Sequence, residues 1–294
     1  MASHQFGGRW TEDKLERLKK YLVAYTTIFK ANQRAAFLRT TFVDAFAGTG
    51  AYTPTKDTNT PAQSADMYDE EAKSFQKGSA QIAIEVEPSF DQFLFVEKKA
   101  AHIQELEKLR HQFPNKANRI NIVQGDANTV LQDWCRQTDW RKNRAVVFLD
   151  PYGMAVEWRT VEAIAQTQAA DLWILFPLGQ AVNRLLTKCG PPPASWAERL
   201  TLFFGMDEWK EAFYRPPQQP SFFDTEETLE KGISLEGIGA YFVERLSTVF
   251  AKVADNPLAL RNSKNVPIYL LCFAAANPKG APTAVKIAQH ILGR

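Results

Sequence analysis

A chain of 294 residues with 45% hydrophobic and 23% charged residues can bury one large α/β core, and a formal net charge of +2 is too small to signal nucleic-acid binding by itself. No apolar run reaches the length of a membrane span, and the first ten residues lack the apolar stretch of a secretory leader, so the expectation is a cytoplasmic protein with no membrane partner. Cys135, Cys189 and Cys272 form no C-x-x-C pair and the histidines have no ligand spacing, which argues against a disulfide scaffold and against a metal site.

The first element is an amphipathic helix over Trp10–Ala31. Thr11 stands at the N-cap position, and Leu15, Leu18, Leu22, Tyr25 and Phe29 recur at helical spacing. Lys14, Arg17, Lys19 and Lys20 read as its solvated basic face, with contact to an anionic partner as the alternative. A strand over Leu38–Asp44 follows and breaks into a small-residue loop, TFVDAFAGTG. Gly48 and Gly50 supply conformational freedom and close backbone approach. An acid ahead of this loop would repel a pyrophosphate held on a helix N-terminus, and Thr53 replaces the third glycine of the dinucleotide fingerprint. A ligand with cationic groups fits better, and S-adenosylmethionine carries an ammonium and a sulfonium. Asp44, Phe46, Gly48 and Gly50 are the cofactor candidates here, set against the plain reading of a strand-turn with two glycines.

Residues 51–77 are polar, carry Pro54 and Pro61, and read as a lid-like surface insertion. Gly78 and Ser79 open a helix that should return to the same site, where it would offer N–H groups to a ligand carboxylate or serve only as a helix start. The strand Asp91–Glu97 ends in an acid placed to accept hydrogen bonds from ribose hydroxyls. After the strand Arg119–Gln124, Asp126 and Ala127 lead into a helix; Asp126 would hold an adenine amino group or cap that helix. The strand in AVVFLDPYG delivers Asp150, Pro151 and Tyr152 to its end. Asn183 and Arg184, early on a helix over Gln180–Lys188, are rim candidates for substrate, with structural polar contacts as the alternative. Residues 191–233 read as a helical, aromatic-rich insertion, whose rings would pack inward or form a partner face. A helix over Leu235–Phe250, a hairpin over Pro257–Arg261 and Pro267–Ala275, and a helix over Ala284–Leu292 close the chain.

Alternating strands and helices with a terminal hairpin predict a single doubly wound, Rossmann-like α/β domain over 1–294, with a mostly parallel sheet and an antiparallel strand near its edge. That is the layout of class I methyltransferases. Four acids, Asp44, Glu97, Asp126 and Asp150, would share one side of that sheet. The DPYG of Asp150–Gly153 resembles the D-P-P-Y motif of amino methyltransferases that act on nucleobases, with one proline in place of two and Tyr152 in the second proline's position. That resemblance implies hydrogen bonds from an exocyclic amine to the acid and a backbone carbonyl, and a base stacked on the aromatic. Two acceptors fixing the amine would aim its lone pair along the S–CH₃ axis.

The combination KLERLKKYLVAY, FVDAFAGTG, GSAQIAIEV, FVEKK, FLDPYG and DLWILFPLGQAVNRLL resembles the three-Cys-motif partner family over nearly the whole chain. The resemblance implies a class I methyltransferase-like fold, S-adenosylmethionine as cofactor with S-adenosylhomocysteine as product, and a phage-type partner, a three-cysteine, radical-SAM-like protein encoded nearby. The cysteines in the family name belong to that partner. Two functional expectations stand: a methyltransferase acting on an exocyclic amine of a nucleobase or nucleotide, with nucleic acid as a partner, and an accessory subunit that keeps the fold to serve the iron–sulfur partner.

Overall fold

The computed structural model describes residues 9–48, 78–216 and 229–293; Gly50, the 51–77 stretch and residues 217–228 lie outside the described residues. The elements in chain order are α1 (Arg9–Ala31), β1 (Arg39–Asp44), α2 (78–85), β2 (Gln92–Glu97), α3 (Ala100–Gln112), β3 (Ile120–Gln124), α4 (Ala127–Gln137), β4 (Asn143–Leu149), α5 (Trp158–Gln166) and β5 (Ala170–Phe176). A wide π turn (Leu178–Val182) and a short α6 (Asn183–Leu185) come next, then α7 (Ala194–Phe204), α8 (Trp209–Phe213), β6 (Tyr214–Arg215) and β7 (Glu230–Lys231). The chain ends with α9 (Leu235–Ser247), β8 (Lys252–Val253), β9 (Leu258–Arg261), β10 (Pro267–Ala275) and α10 (Ala281–Leu292).

The main sheet runs β3-β2-β1-β4-β5-β10-β8, with β9 beside β8 on the outer edge of β10. Strands β1 to β5 pair in parallel, and β10 enters antiparallel between β5 and the edge, as the terminal hairpin pattern predicts. Period-two alternation sends successive residues of each central strand to opposite faces. Val43, Leu94, Val147, Ile174 and Cys272 face a core closed by α4, α5 and α7 to α9. Phe42, Phe95, Phe148, Trp173 and Phe273 face the other, closed by α1, α2, α3 and α10. Both faces are buried under helices, so the sheet is a doubly wound Rossmann-like layer of the class I methyltransferase type.

Three of the differences from the sequence reading have a clear physical cause. The first turn of α1 starts ahead of Thr11, which therefore lies inside the helix; Trp10 anchors that turn by stacking on Tyr269 at 5.7 Å. α10 begins at Ala281, because Pro282 costs nothing in a first turn whose N–H groups have no intrahelical partner. No continuous helix spans Gln180–Lys188. Gly179 presses its backbone against β10, where an added Cβ would stand 2.4 Å from the Pro267 carbonyl oxygen, and Pro177 O accepts from both Ala181 N and Val182 N in the resulting wide turn. The chain then leaves the helix at Leu186 because residues 188–190 bond the backbone of 229–231.

The described part of 191–233 turns its aromatics inward. Phe203, Phe204, Trp209 and Phe213 are buried, and the Phe203 ring packs on Phe176 and Phe242, which stack at 4.2 Å. Trp196 is the exception, at 39% exposure.

Candidate functional site

Because β1, β2 and β4 are parallel and in register, their carboxyl ends reach one edge of the sheet, and each delivers an acid there. Asp44 ends β1 and is fully buried. Its Oδ2 accepts from the Ser79 hydroxyl at 2.6 Å and its Oδ1 from Phe46 N at 3.1 Å. Burial pushes its carboxyl up to about 7; those two hydrogen bonds oppose the rise, and the charges of Asp150 and Glu97 add to it. The structure thus brings Ser79, at the start of α2, onto the first strand end. Gly78 packs beside it against Leu15 of α1, where a Cβ would meet a Leu15 methyl at 3.1 Å.

Glu97, at the end of β2, straps the glycine loop from the side. Its two oxygens accept from Gly48 N at 3.0 Å and Lys99 N at 2.9 Å, and His102 Nδ1 lies 3.4 Å from the carboxylate. Gly48 holds φ at +58°, a conformation that L side chains resist, so this backbone path needs a glycine.

Asp150 follows β4 and is 5% exposed. The group facing it is Lys14, whose Nζ lies 3.6 Å from Asp150 Oδ1 and 5.0 Å from the centre of the Trp10 ring. This corrects the reading of Lys14 as a solvated lysine: it is 1% exposed, and only Lys19 and Lys20 of that set are fully on the outside. The signal was present in the spacing, since Trp10, Lys14, Leu18, Tyr21 and Tyr25 share the apolar stripe of one helix. Burial pushes the Lys14 ammonium down, with the charges of Asp150 and Asp44 opposing; burial pushes Asp150 up, with Lys14 opposing. The loop after Asp150 turns through Gly153 at φ +55°, and the half-buried Tyr152 ring carries Lys99 Nζ at 5.9 Å from its centre.

Asp126 caps α4: its Oδ1 accepts from Asn128 N at 3.1 Å and Thr129 N at 3.2 Å, and its remaining surface faces solvent. Ala127 is buried behind it. Asn128, which sequence reasoning passed over, ties α4 to the segment after DPYG, donating to Ala155 O and accepting from Glu157 N and the Thr160 hydroxyl. Asn183 accepts from Lys231 Nζ, a structural contact to β7, while Arg184 is exposed.

Asp44, Glu97, Asp150, Gly48, Ser79 and Lys14 therefore form one constellation of three carboxylates against one buried ammonium, with His102 at its margin. Asp44 is held near neutrality by desolvation and by its fellow acids, the electrostatic condition a cationic ligand relieves. An ammonium and a sulfonium beside a carboxylate-lined strand edge suit that donor set; a pyrophosphate does not. No group of three or more His, Cys, Asp or Glu among the described residues has the geometry of a metal site, and no described helix is long and apolar enough to cross a membrane.

The sheet order, with an antiparallel strand inserted before the edge, and the row of acids at the carboxyl ends define a class I methyltransferase-type Rossmann-like fold. No family model matches the chain, and no curated protein does. Among solved structures, a Legionella pneumophila protein described under the family name DUF519 aligns over 95% of this chain and 90% of its own, with 13% identity and a TM-score of 0.50. The protein TYW2 of M. jannaschii, solved in complex with AdoMet, aligns over 92% of this chain and 79% of its own, with 10% identity and a TM-score of 0.32. The likeness to the Legionella protein is one of fold.

Proposed function

We propose that the chain is an S-adenosylmethionine-dependent methyltransferase acting on an exocyclic amine, with a nucleobase as the acceptor class. The observation that carries this reading is Asp150, buried at the end of β4 beside Lys14 and inside the electrostatic reach of Asp44, with Tyr152 two residues on. Asp44, Phe46, Gly48, Gly50, Gly78, Ser79, Glu97, Asp126 and Ala127 are the residues that would hold the cofactor, with Glu97 on ribose hydroxyls and Asp44 toward its cationic end. S-adenosylmethionine supplies an electrophilic methyl group whose departure leaves a neutral thioether.

Asp150 and the Pro151 backbone accept the two amine hydrogens, which aims the nitrogen lone pair; orientation of this kind lowers a barrier without covalent participation. When the C–N bond forms, the nitrogen carries one proton too many, and the desolvated Asp150 carboxylate is placed to receive it. Lys14 offsets the charge of that carboxylate while no amine is present. Tyr152 offers a stacking face, a contribution of about 1 to 3 kcal/mol per base. A base within a duplex would have to leave the stack first.

Membership of the three-Cys-motif partner family belongs to the same proposal, and with it a three-cysteine, radical-SAM-like partner. The second reading, an accessory subunit, draws on the same pair: Asp150 is buried and paired with Lys14, so an amine must displace that lysine, and a partner acting on α1 is one agent able to do so. Calorimetric titration with S-adenosylmethionine and S-adenosylhomocysteine tests the first step. The proposal expects binding that Asp44→Ala and Glu97→Ala weaken, and transfer of labelled methyl to single-stranded oligonucleotides that Asp150→Ala abolishes without loss of cofactor affinity. Binding without transfer to any acceptor, alongside co-purification with the three-cysteine protein, would favour the accessory reading. Absence of cofactor binding would sink both the cofactor assignment and the enzyme.

A further inference from the structure

The sheet ties the loop that carries Tyr152 at one end. Asp150 and Pro151 leave β4, Gly153 turns the chain at φ +55°, and Trp158 enters α5, so residues 151–157 form a short chord between strand and helix. Asn128 of α4, 7% exposed, secures the far end. Its Nδ2 donates to Ala155 O at 2.9 Å, and its Oδ1 accepts from Glu157 N and from the Thr160 hydroxyl, each at 2.9 Å. Gln132 Nε2 donates in turn to Thr160 Oγ1 at 2.9 Å. The donors therefore run one way, from Gln132 through Thr160 and Asn128 to the Ala155 carbonyl. Such a set of partners demands an amide, because the carbonyl needs a donor while the N–H and the hydroxyl need an acceptor. Aspartate would set an oxygen against the Ala155 carbonyl, and alanine would strip a partner from one backbone N–H and one backbone C=O.

The same residue also touches the cofactor side. Its backbone N donates at 3.1 Å to Oδ1 of Asp126, the acid that follows β3 and caps α4. Asn128 thus faces two strand ends: its main chain holds the acid after β3, and its side chain holds the loop after β4. In the sheet, β2 and β1 lie between those strands, and neighbouring strands stand about 4.8 Å apart. A single side chain therefore supplies a link that the strand ladder does not.

We propose that Asn128 is a positioning residue for the transfer reaction that couples the two sides of the site: a ligand held at Asp126 fixes the start of α4 and, through Asn128, orders the Tyr152 loop. The inference rests on the cofactor reading given above. Binding then stiffens a loop that the ligand itself need not touch, and an acceptor base meets a ring already in place.

Amide hydrogen exchange over residues 151–157 of the full chain, with and without S-adenosylhomocysteine, tests the coupling beside calorimetric titration of the same probe. Asn128→Ala removes all three side-chain bonds, and Asn128→Asp keeps the oxygen but loses the donor to Ala155. Thr160→Val removes the donor on α5 and leaves both bonds to the loop in place. In the wild type, saturation with the probe should slow exchange over 151–157 at least about fivefold, the equivalent of one hydrogen bond. In Asn128→Ala the loop should exchange faster by about the same factor and should no longer respond to the probe. Probe affinity should change by no more than about fivefold, the bound that reciprocity sets. Asn128→Asp should behave alike, which keeps the test decisive if Asn128→Ala misfolds. Thr160→Val should lose stability yet keep the response, a split that a purely structural network would not give. The proposal is overturned if the probe binds the wild type without slowing the loop, if the Asn128 variants keep the response, or if Thr160→Val loses it as well. Absence of probe binding to the wild type would instead overturn the cofactor reading, and this coupling with it.

Discussion

The two edges of the sheet handle buried acids in opposite ways, and a single helix spans both. At the carboxyl edge, Asp44 and Asp150 share one low-dielectric region with Glu97, and their only described buried counter-cation is Lys14. At the amino edge, Asp171 stands among tyrosines, is supported by a neutral hydroxyl, and is held toward its protonated form by burial. Charge is concentrated at one end of α1 and suppressed at the other. A chain that needed only a stable core would have no reason to concentrate it, because buried ion pairs repay their desolvation poorly. The carboxyl edge is therefore where stability is given up, as the proposed methyl transfer would require.

The sharpest way to break this contrast is to exchange acids for amides. Asp150→Asn should lower methyl transfer by at least about a hundredfold while cofactor affinity, read by calorimetry, stays near wild type. Asp171→Asn should leave the transfer rate within about twofold in the same assay. If both substitutions acted alike on rate, the edges would not differ in function.

Removing the cation comes next. Lys14→Met leaves Asp150 buried without its ion-pair partner, and about 3 kcal/mol of stability should be lost near pH 6.5, between the Asp150 carboxyl at about 6 and the Lys14 ammonium at about 7. At pH 5 Asp150 takes a proton and the deficit should shrink. Thermal unfolding of both proteins at the two pH values reads the difference, and a deficit that did not change with pH would mean that Lys14 acts through packing alone.

At the amino edge the two tyrosines separate. Tyr21→Phe removes the donor to Asp171 and should cost about 1 to 2 kcal/mol in denaturant unfolding, whereas Tyr25→Phe removes a buried hydroxyl that has no partner among the described residues and should raise stability by about 1 kcal/mol. The smallest effect is in pH dependence. The folded-state affinity of Asp171 for its proton is raised above that of the unfolded chain, so its stabilising contribution is complete below about pH 4 and is lost as pH rises toward about 7. Asp171→Asn should accordingly come nearest to wild type below about pH 4 and exceed it by about 1 kcal/mol or more at pH 8.

Much of the carboxyl edge was legible because its signals are local. The runs ending in Asp44, Glu97 and Asp150 are apolar until the acid, and parallel order alone then brings the acids to one side. The glycine at position 48 announced its φ, and Asp126 offered capping as one of its two readings. Lys14 was misread because a lysine among lysines looks like surface; only its place on the stripe of Trp10, Leu18 and Tyr21 betrays it. The Tyr21–Asp171 bond joins residues 150 positions apart, and no window of sequence contains both. The wide turn at Leu178–Val182 depends on contact with β10, which lies nearly a hundred residues further on, so a helical pattern there could not report it.

The reach of α1 has a consequence for how the chain is made. Its stripe is emitted ahead of the residues it closes against: Asp150, Asp171, Tyr269 and, through Arg17, the carbonyl of Ile291. At about 5 to 20 residues per second, the ribosome leaves this helix without its sheet for roughly 10 to 50 s. Through that interval the stripe is only partly covered: Tyr25 meets Phe90 first, Tyr21 meets Trp173 later, and Trp10 meets Tyr269 later still. Closure therefore waits for β10 and α10, and the Lys14–Asp150 pair is enclosed only when the sheet behind it is complete.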